Sequence, residues 1–174
     1  MRIHVVAVAG AGMGSLAGLL AELGHDVSGS DVAFDPPIGP ALAQWGVKTK
    51  MGFDPSHLVP APDLVVVGNV VRKDNPEARA AIDGGLSYTH IAGALAELVL
   101  GGARPLVVAG THGKTTTTAL AAWLLEGAGR KPGFLVGGIP ANFGRSFRAP
   151  RRRLPVAGDT GGSERPPFVI EGDE

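Results

Sequence analysis

Short apolar runs alternate with amphipathic segments along the first hundred residues. The run IHVVAVA (Ile3–Ala9) is typical of a strand buried on both faces, and the segment GSLAGLLAELG after it predicts a helix that ends at Gly24. Further strands are predicted at HDVSGSD, VKTKMG, DLVVVGNVV and LSYTHI, with one helix entered near Pro40 and another capped by Asn75. This alternation predicts an α/β fold, a Rossmann-like doubly wound parallel sheet, for residues 1–101.

A second α/β unit is predicted after the joint GGARP, Gly101–Pro105. It begins with the strand PLVVAG, a glycine loop and the helix TTTALAAWLLEGAG, and it ends with the strand PFVIEGDE. Between them, RAPRRRLPVAGDTGGSERPP is polar and rich in proline and glycine, which predicts a surface loop with solvated arginines. Residues 105–174 are therefore expected to form the start of a P-loop α/β domain.

Composition excludes several classes of function. Sixteen basic residues balance sixteen acidic ones, so no general affinity for nucleic acid or for an anionic membrane is expected. The chain has no cysteine, which excludes disulfides, thiolate metal sites and cysteine nucleophiles. The uncharged run Val5–Ala21 resembles a signal peptide, but its clustered glycines and serine favour a strand, a turn and a helix. The pattern as a whole predicts a cytoplasmic protein.

The sequence GTHGKTTT follows a predicted strand and opens a helix, which is the context that a phosphate-binding loop requires. Backbone N–H groups beside its glycines can bind polyphosphate, Lys114 can neutralise the β and γ phosphates, and the Thr115 hydroxyl suits Mg²⁺. The full Walker pattern is absent, because its first glycine would fall at Val108. His112 is expected to pack or to hydrogen bond rather than to react. The predicted phosphate site comprises Gly110, Thr111, His112, Gly113, Lys114, Thr115 and Thr116.

A second glycine cluster, Gly10–Gly14, lies between the first strand and the first helix. Glycines there allow a tight turn and the close approach of a pyrophosphate to a helix N-terminus. Ser15 stands where a dinucleotide fingerprint would have its third glycine, and Asp31 lies where an acid would meet a ribose hydroxyl. Two interpretations remain open for this half alone: a nicotinamide-type site, and glycines that serve only the turn.

Acidic residues follow the last predicted strand, at Glu171–Glu174. Carboxylates at the carboxyl end of a strand beside a phosphate loop are well placed to bind Mg²⁺, although a solvated acidic terminus explains them equally well. Four of the histidines show no metal-ligand spacing and are interpreted as structural or surface residues: His4, His25, His57 and His90.

Taken together, these segments resemble the start of the Mur ligases, the ATP-dependent amide-forming enzymes of bacterial peptidoglycan synthesis. GTHGKTTT and VIEGDE match the family's ATP loop and acidic motif, and GAGMGSLAGLLAELGHDVSGSD resembles the uridine-nucleotide domain of members that use UDP-N-acetylmuramate. VVVGNVVRKDNPE and KPGFLVGGIPANFGRSF are most similar to the members that recycle muropeptides. Those members join UDP-N-acetylmuramate to L-alanyl-γ-D-glutamyl-meso-diaminopimelate through an acyl phosphate.

The resemblance implies specific roles for residues of this chain. Residues 1–101 would bind the UDP substrate, and residues 105–174 would form an incomplete N-terminal part of the central ATPase domain. Lys114 would be catalytic, while Thr115 and Glu171 would hold Mg²⁺ beside ATP. The residues implied in binding the UDP substrate are Gly10, Ala11, Gly12, Met13, Asp31 and Asn69. The family usually has alanine at position 172, where this chain has glycine.

The family pattern also includes later regions that bind adenine and the incoming amine, which implies that this chain is an N-terminal part and is inactive alone. A ligase that joins UDP-N-acetylmuramate to L-alanine is the nearest alternative. Two further alternatives come from other classes, a Rossmann oxidoreductase that uses NAD and a non-catalytic UDP-sugar-binding module. The second phosphate loop remains unexplained in the oxidoreductase. Nothing in the sequence predicts the oligomeric state.

Overall fold

The computed structural model describes residues 1–151 and 165–172, and the chain divides into two compact units, residues 1–96 and 97–174. Most of the predicted arginine-rich loop lies outside the described residues, as do Asp173 and Glu174 of the acidic cluster. Within the described ranges, no helix is both long enough and apolar enough to cross a membrane.

The first unit contains a five-stranded, fully parallel sheet with the strand order β3-β2-β1-β4-β5. The strands are β1 (Arg2–Val6), β2 (Asp26–Asp31), β3 (Lys48–Met51), β4 (Leu64–Val67) and β5 (Tyr88–His90). The helices are α1 (Ala11–Glu22), α2 (Ile38–Gln44), α3 (Pro76–Asp83) and α4 (Ile91–Leu98), and short 3-10 turns span Pro55–Leu58 and Leu100–Gly102. The predicted α/β, Rossmann-like fold is confirmed.

Several predicted boundaries are wrong for local reasons. β1 ends at Val6 rather than at Ala9, because Ala7 turns the chain with a φ of 64°. β4 ends at Val67, so the hydrophobic residues after it lie in turns. α2 begins at Ile38, two residues before the predicted Pro40.

The predicted cap of α3 is confirmed. The Asn75 side-chain oxygen accepts hydrogen bonds from the backbone N–H groups of Glu77 and Ala78, each at 3.0 Å, and Pro76 occupies the first turn. This cap fixes the start of α3 and therefore the position of the Glu77 side chain, which is fully buried.

One face of the first sheet carries polar side chains. Successive residues of a strand point to opposite faces, and β1, β2 and β3 pair in register, so their polar positions fall on one side. Parallel sheets covered on both faces are normally apolar throughout, which makes this face unusual. These polar positions are Arg2, His4, Asp26, Ser28, Ser30, Lys48 and Lys50.

The second unit contains a four-stranded sheet with the order β6-β9-β7-β8. β6, β9 and β7 are parallel, whereas β8, which the sequence did not predict, runs antiparallel to β7. Ala122, Phe134, Val136 and Val169 form a buried cluster in this unit. The elements are β6 (Arg104–Val108), α5 (Lys114–Gly127), β7 (Gly133–Leu135), β8 (Phe147–Arg148) and β9 (Pro167–Glu171).

Candidate functional site

The first candidate loop joins β1 to α1 at the carboxyl edge of the five-stranded sheet. β1 is central, and the strand order reverses on either side of it, which is where open α/β sheets bind ligands. α1 begins immediately after Gly10, and no side chain caps it, so its first N–H groups face the loop without a side-chain acceptor. The loop is therefore able to donate backbone hydrogen bonds to an anionic group.

The glycines at this loop and at the start of α1 differ in whether the fold requires a residue without a side chain. A Cβ atom on Gly14 would lie 2.4 Å from Ile38 Cγ2 and 2.9 Å from the Val8 carbonyl oxygen, so packing requires glycine there. A Cβ on Gly12 would have its nearest neighbour at 3.6 Å and one on Gly10 at 3.9 Å, both ordinary contact distances. Neither of these two has a positive φ. Neither packing nor backbone conformation therefore requires glycine at these two positions, which favours the alternative that they admit the close approach of a ligand.

Asp31 holds the first loop in place. Its Oδ2 accepts a hydrogen bond from the Ala9 N–H at 2.8 Å, and its Oδ1 accepts one from the Val32 N–H at 2.7 Å. The carboxylate thus fastens the end of β2 to the residue before Gly10. Each oxygen retains a lone pair with which it could also meet a ribose hydroxyl.

The other residues predicted for this site differ in exposure. Asn69 follows β4 and is exposed at the same edge of the sheet. Ala11 is exposed at the first turn of α1. The Met13 side chain is buried, and a Cβ on Gly68 would contact its Cγ at 3.5 Å, so Met13 belongs to the packing beneath the loop. Only the backbone of Met13 is left to contribute to a ligand.

The second candidate loop joins β6 to α5. Gly110 has a φ of 150° and Gly113, the N-cap of α5, has a φ of 76°, so the loop conformation itself requires glycine at both positions. The Lys114 ammonium donates a hydrogen bond to the Gly110 carbonyl oxygen at 2.7 Å, across the mouth of the loop. Thr116 is exposed in the first turn of α5. His112 is exposed, and its Nδ1 lies 3.2 Å from the Thr111 hydroxyl, which is a contact within the loop.

The structure brings Thr115 and Glu171 together, although 56 residues separate them. The Thr115 hydroxyl donates to Glu171 Oε2 at 3.2 Å, and the Gly137 N–H donates to Glu171 Oε1 at 2.7 Å. The contact forms because β6 and β9 are parallel neighbours whose carboxyl ends lie at one edge of the sheet. A hydroxyl and a carboxylate are oxygen ligands of the kind that Mg²⁺ binds together with substrate phosphates. The pair therefore fits the predicted metal.

Sequence reasoning missed Gly137 as a positioning residue. A Cβ there would lie 3.1 Å from Glu171 Oε2, so the residue must be small for its N–H to reach the carboxylate. The double glycine in FLVGGIP is the signal that could have identified it. Among the described residues, no three His, Asp or Glu side chains converge as a metal-binding group. A metal at Thr115 and Glu171 would therefore depend on ligand oxygens as well.

A buried network that the sequence did not predict lies on the polar face of the first sheet. The Glu77 carboxylate hydrogen bonds with His57 Nδ1 at 2.6 Å and lies 3.4 Å from His4 Nε2. It also accepts hydrogen bonds from the Ser30 hydroxyl and, at 3.1 Å, from the Asp54 N–H. Burial raises the pKa of the Glu77 carboxyl, but these four hydrogen bonds outweigh that cost and hold the pKa below its ordinary value.

Comparisons with known proteins connect these features to one family. The model of the Mur ligase family, catalytic domain, matches residues 2–102. The chain is 42% identical over 174 residues to UDP-N-acetylmuramate--L-alanyl-gamma-D-glutamyl-meso-2,6-diaminoheptandioate ligase of Escherichia coli (strain K12), covering 100% of this chain and 35% of that protein. It is 39% identical over 177 residues to UDP-N-acetylmuramate--L-alanine ligase of Kineococcus radiotolerans, covering 99% and 34%.

A solved structure agrees with these relatives. UDP-N-acetylmuramate:L-alanyl-gamma-D-glutamyl-meso-diaminopimelate ligase from Neisseria meningitides superposes with a TM-score of 0.88 at 41% identity, covering 99% of this chain and 52% of that one. The chain spans about a third of the length of the curated relatives that it matches. The resemblance inferred from the motifs is confirmed at the level of the family.

Proposed function

The chain belongs to the Mur ligase family, whose members are ATP-dependent ligases, and we propose that it is the substrate-binding and phosphate-binding part of such an enzyme. Residues 1–101 would bind UDP-N-acetylmuramate. Residues 105–174 would bind the phosphates of ATP as the N-terminal part of the ATPase domain. The reaction would join the muramate carboxylate to the amine of a peptide or an amino acid through an acyl phosphate.

The difference between the two loops is the observation that carries this proposal. The segment from the first loop into the first turn of α1, Ala7–Gly14, contains only glycine, alanine, valine and methionine, so the groups that it could offer an anion are backbone N–H groups. Such a loop can hold a diphosphate without reacting with it. The second loop adds a cation, Lys114, and a hydroxyl–carboxylate pair, Thr115 and Glu171. Groups of that kind stabilise charge on a phosphoryl group as it is transferred.

Individual roles follow from the contacts. Lys114, now held by the Gly110 carbonyl oxygen, would exchange that acceptor for a phosphate oxygen and catalyse transfer by neutralising its charge. Gly113 and the first turn of α5 would offer backbone N–H groups to the same phosphates, beside Thr116. In the first unit, Gly10 and Gly12 would admit the diphosphate of the UDP-sugar, Asp31 would keep the loop in position, and Asn69 would line the same edge.

Thr115 and Glu171 would hold Mg²⁺, which when bound neutralises charge on the phosphates of ATP. The N–H of Gly137 keeps Glu171 Oε1 in place, and the 3.2 Å contact keeps Oε2 beside the Thr115 hydroxyl. These contacts would orient both oxygen ligands before any nucleotide arrives.

We propose the tripeptide L-alanyl-γ-D-glutamyl-meso-diaminopimelate as the amine donor of the intact enzyme. The relatives named for that tripeptide reach 42% identity, and the segments VVVGNVVRKDNPE and KPGFLVGGIPANFGRSF resemble the same members. L-Alanine is the alternative donor, supported by the 39% identity to a UDP-N-acetylmuramate--L-alanine ligase. The two donors would be distinguished by assaying the full-length enzyme with each amine.

Calorimetric titration of this chain with UDP-N-acetylmuramate tests the first half of the proposal, with NAD and UDP as comparisons. We expect saturable binding of the UDP-sugar and no heat from NAD. Gly12→Ala should weaken that binding at least tenfold, because the new methyl group, which the fold accepts at 3.6 Å from Ile91 Cδ1, would keep a diphosphate from the closest approach to the first turn of α1. Gly101→Ala is the matched control, since a Cβ there has no neighbour within 4 Å and lies outside the proposed site.

The thermal stability of the two variants separates a blocked site from a damaged fold. Alanine is favoured over glycine inside a helix by about 1 kcal/mol, so Gly12→Ala should be at least as stable as the original chain. NAD binding, or equal UDP-sugar binding by both variants, would contradict the proposed role of the first loop.

A further inference from the structure

A cavity of about 280 Å³ lies on the polar face of the first sheet. Its walls come from the starts of β1, β2 and β3 and from the chain that follows the 3-10 turn Pro55–Leu58. Arg2, Asp26 and Lys48 lie at or next to the amino ends of these parallel strands, whereas the Gly10 loop follows the carboxyl end of β1. The cavity is therefore separate from the proposed UDP-sugar site.

The cavity is lined by more positive than negative charge. Arg2, Lys48 and Lys50 contribute three cations against one carboxylate, Asp26, which gives a net charge of +2 with the imidazoles neutral. Asp26 is already engaged, because its Oδ1 accepts a hydrogen bond from the Lys48 ammonium at 2.6 Å. Lys50 donates to the His57 carbonyl oxygen at 3.0 Å, which holds its ammonium beside the cavity wall.

Two imidazoles of the buried network also line the cavity, His4 and His57. Their contacts with Glu77 use Nε2 of His4 and Nδ1 of His57, and His4 Nδ1 lies 2.9 Å from the Ser28 hydroxyl oxygen. Nε2 of His57 is therefore the ring atom left to meet a ligand, and in the neutral ring it can accept a hydrogen bond from a protonated phosphate oxygen.

The Glu77 carboxylate is fully buried and accepts hydrogen bonds on both oxygens. Glu77 therefore lies behind the two imidazoles rather than on the cavity surface, and its charge lowers the positive potential without meeting a ligand directly. Because His57 Nδ1 donates to Glu77, Nε2 of the neutral ring is an acceptor, and the charged donors that a ligand meets are Arg2, Lys48 and Lys50.

We propose that this cavity is a second anion site, distinct from both glycine loops, which binds a phosphate group, either inorganic phosphate or a small phosphate monoester. Arg2 supplies a planar fork of N–H donors, which matches the oxygens of phosphate, and Lys48 and Lys50 supply point charges. The volume lies at the lower end of ligand pockets, which suits phosphate or a small ester and is small for a dinucleotide.

The polar face supports this assignment independently of the cavity. In a parallel sheet that is covered on both faces, the strand positions on each face are normally occupied by apolar side chains. Here the alternate residues of β2 and β3 are charged or hydroxyl-bearing, and β1 adds Arg2 and His4 before its apolar end at Val6; His4 is buried with 1% exposure. The buried members of this face, His4 and Ser30, are hydrogen bonded within the network, whereas Arg2 and Lys48 are exposed at its edge, where a bound anion would contact them.

Residue-resolved NMR of the full 174-residue chain tests the proposal at constant ionic strength. Inorganic phosphate, ribose 5-phosphate and chloride would be titrated separately, following the backbone amides of Arg2, Lys48 and Lys50 and the His57 ring. Amides of residues 111–115 report separately on phosphate bound at the second glycine loop. We expect saturable shifts at the cavity with phosphate or its ester and none that saturate with chloride.

Arg2→Gln and Arg79→Gln form the matched pair of variants. Both replace an exposed arginine of the first unit, but only Arg2 lines the cavity. Arg2→Gln should weaken phosphate binding at the cavity at least tenfold, and Arg79→Gln should leave it unchanged. Tighter binding of ribose 5-phosphate than of phosphate would assign a monoester, and the reverse would assign free phosphate.

Three results would overturn the proposal: shifts that do not saturate, shifts that chloride reproduces, or equal weakening by both variants. Because none of these measurements involves the UDP-sugar, they are independent of whether the first glycine loop binds it. A failure of the cavity therefore leaves the proposed ligase function standing, and the converse also holds.

Discussion

The two glycine loops of this protein share the same local structure, a strand followed by a turn and a helix, but they differ in the side chains around them. Beside the first loop lies the carboxylate of Asp31, and both of its oxygens accept hydrogen bonds from backbone N–H groups. The second loop lies beside an acid, Glu171, that contacts a hydroxyl at the loop itself. The first loop therefore offers an anion only backbone groups, whereas the second would add charge-neutralising side chains.

The units around these loops differ in burial as well. In the first unit the central strands are fully buried, with Val5, Val6, Val65 and Val66 at 0% exposure. In the second unit, β6 and α5 expose large apolar side chains, namely Leu106, Val107, Leu120, Trp123 and Leu124. Exposed apolar groups in such a row typify surfaces that contact other protein segments. The first unit therefore meets the requirements of an independent core more fully than the second.

The largest expected effect is on ligand affinity, and it distinguishes the ligand of the second loop from that of the first. Lys114→Met should weaken the binding of inorganic triphosphate with Mg²⁺ by roughly 10- to 150-fold, because a charged hydrogen bond contributes about 1.5–3 kcal/mol. The same variant should leave UDP-N-acetylmuramate binding unchanged, since Lys114 belongs to the second loop. Titration calorimetry with each ligand measures both effects.

Lys131→Met is the control for this comparison, because Lys131 is another lysine of the second unit, exposed and outside the loop. Equal losses of triphosphate affinity in both variants would mean that general charge, rather than the position of Lys114, attracts the ligand.

The next effect concerns stability and compares two glycines of one helix. Gly14→Ala should lower the free energy of unfolding of the first unit by about 1–3 kcal/mol, because its methyl group would overlap Ile38 and the Val8 carbonyl. Gly12→Ala, two residues away, places its methyl group at ordinary contact distance. Urea unfolding followed by Trp45 fluorescence measures this unit, in a Trp123→Phe background that removes the second tryptophan.

If Gly14→Ala proved as stable as Gly12→Ala, Ile38 and the α1 backbone would have to move without cost. The glycines of the first loop could then no longer be divided into those that serve packing and those left open for a ligand.

The smallest effect is a pH dependence confined to the first unit. The folded-state pKa of Glu77 lies below its ordinary value, so the ionised carboxylate stabilises the fold above the unfolded pKa, about 4.3. That stabilisation is lost as the pH falls through the lower, folded pKa. The unfolding free energy reported by Trp45 should therefore fall with acidification below about pH 4.3, and Glu77→Gln should flatten the slope.

Trp123, in a Trp45→Phe background, reports on the second unit and should not respond to Glu77→Gln. An unchanged Trp45 slope in Glu77→Gln would show that other carboxyls cause the acid sensitivity, and the buried network would then lose its assigned role in stability.

The local part of the candidate site could be predicted from the sequence. Gly110, Gly113 and Lys114 lie within five residues, and their spacing predicts a glycine loop between a strand and a helix, which is the conformation that the structure shows. The glycine turn at Gly10 and Gly12 and the Asn75 cap of α3 could likewise be predicted from neighbouring residues. The α/β fold could also be predicted, because segments that alternate between strand and helix can pack in only a few architectures. The errors were element boundaries, such as the end of β1 at the turn of Ala7, and the two-residue strand β8, which was not predicted.

The sequence by itself determined which segments turn, which begin helices and which carry the glycine-rich pattern proposed to bind phosphate, because those properties depend on neighbouring residues. Only the tertiary structure decided which distant side chains meet. Thr115 and Glu171 are joined across 56 residues by the pairing of β6 with β9, and His4 and Glu77 across 73 residues by the packing of α3. Such contacts depend on strand order and helix placement, so no local pattern of residues encodes them.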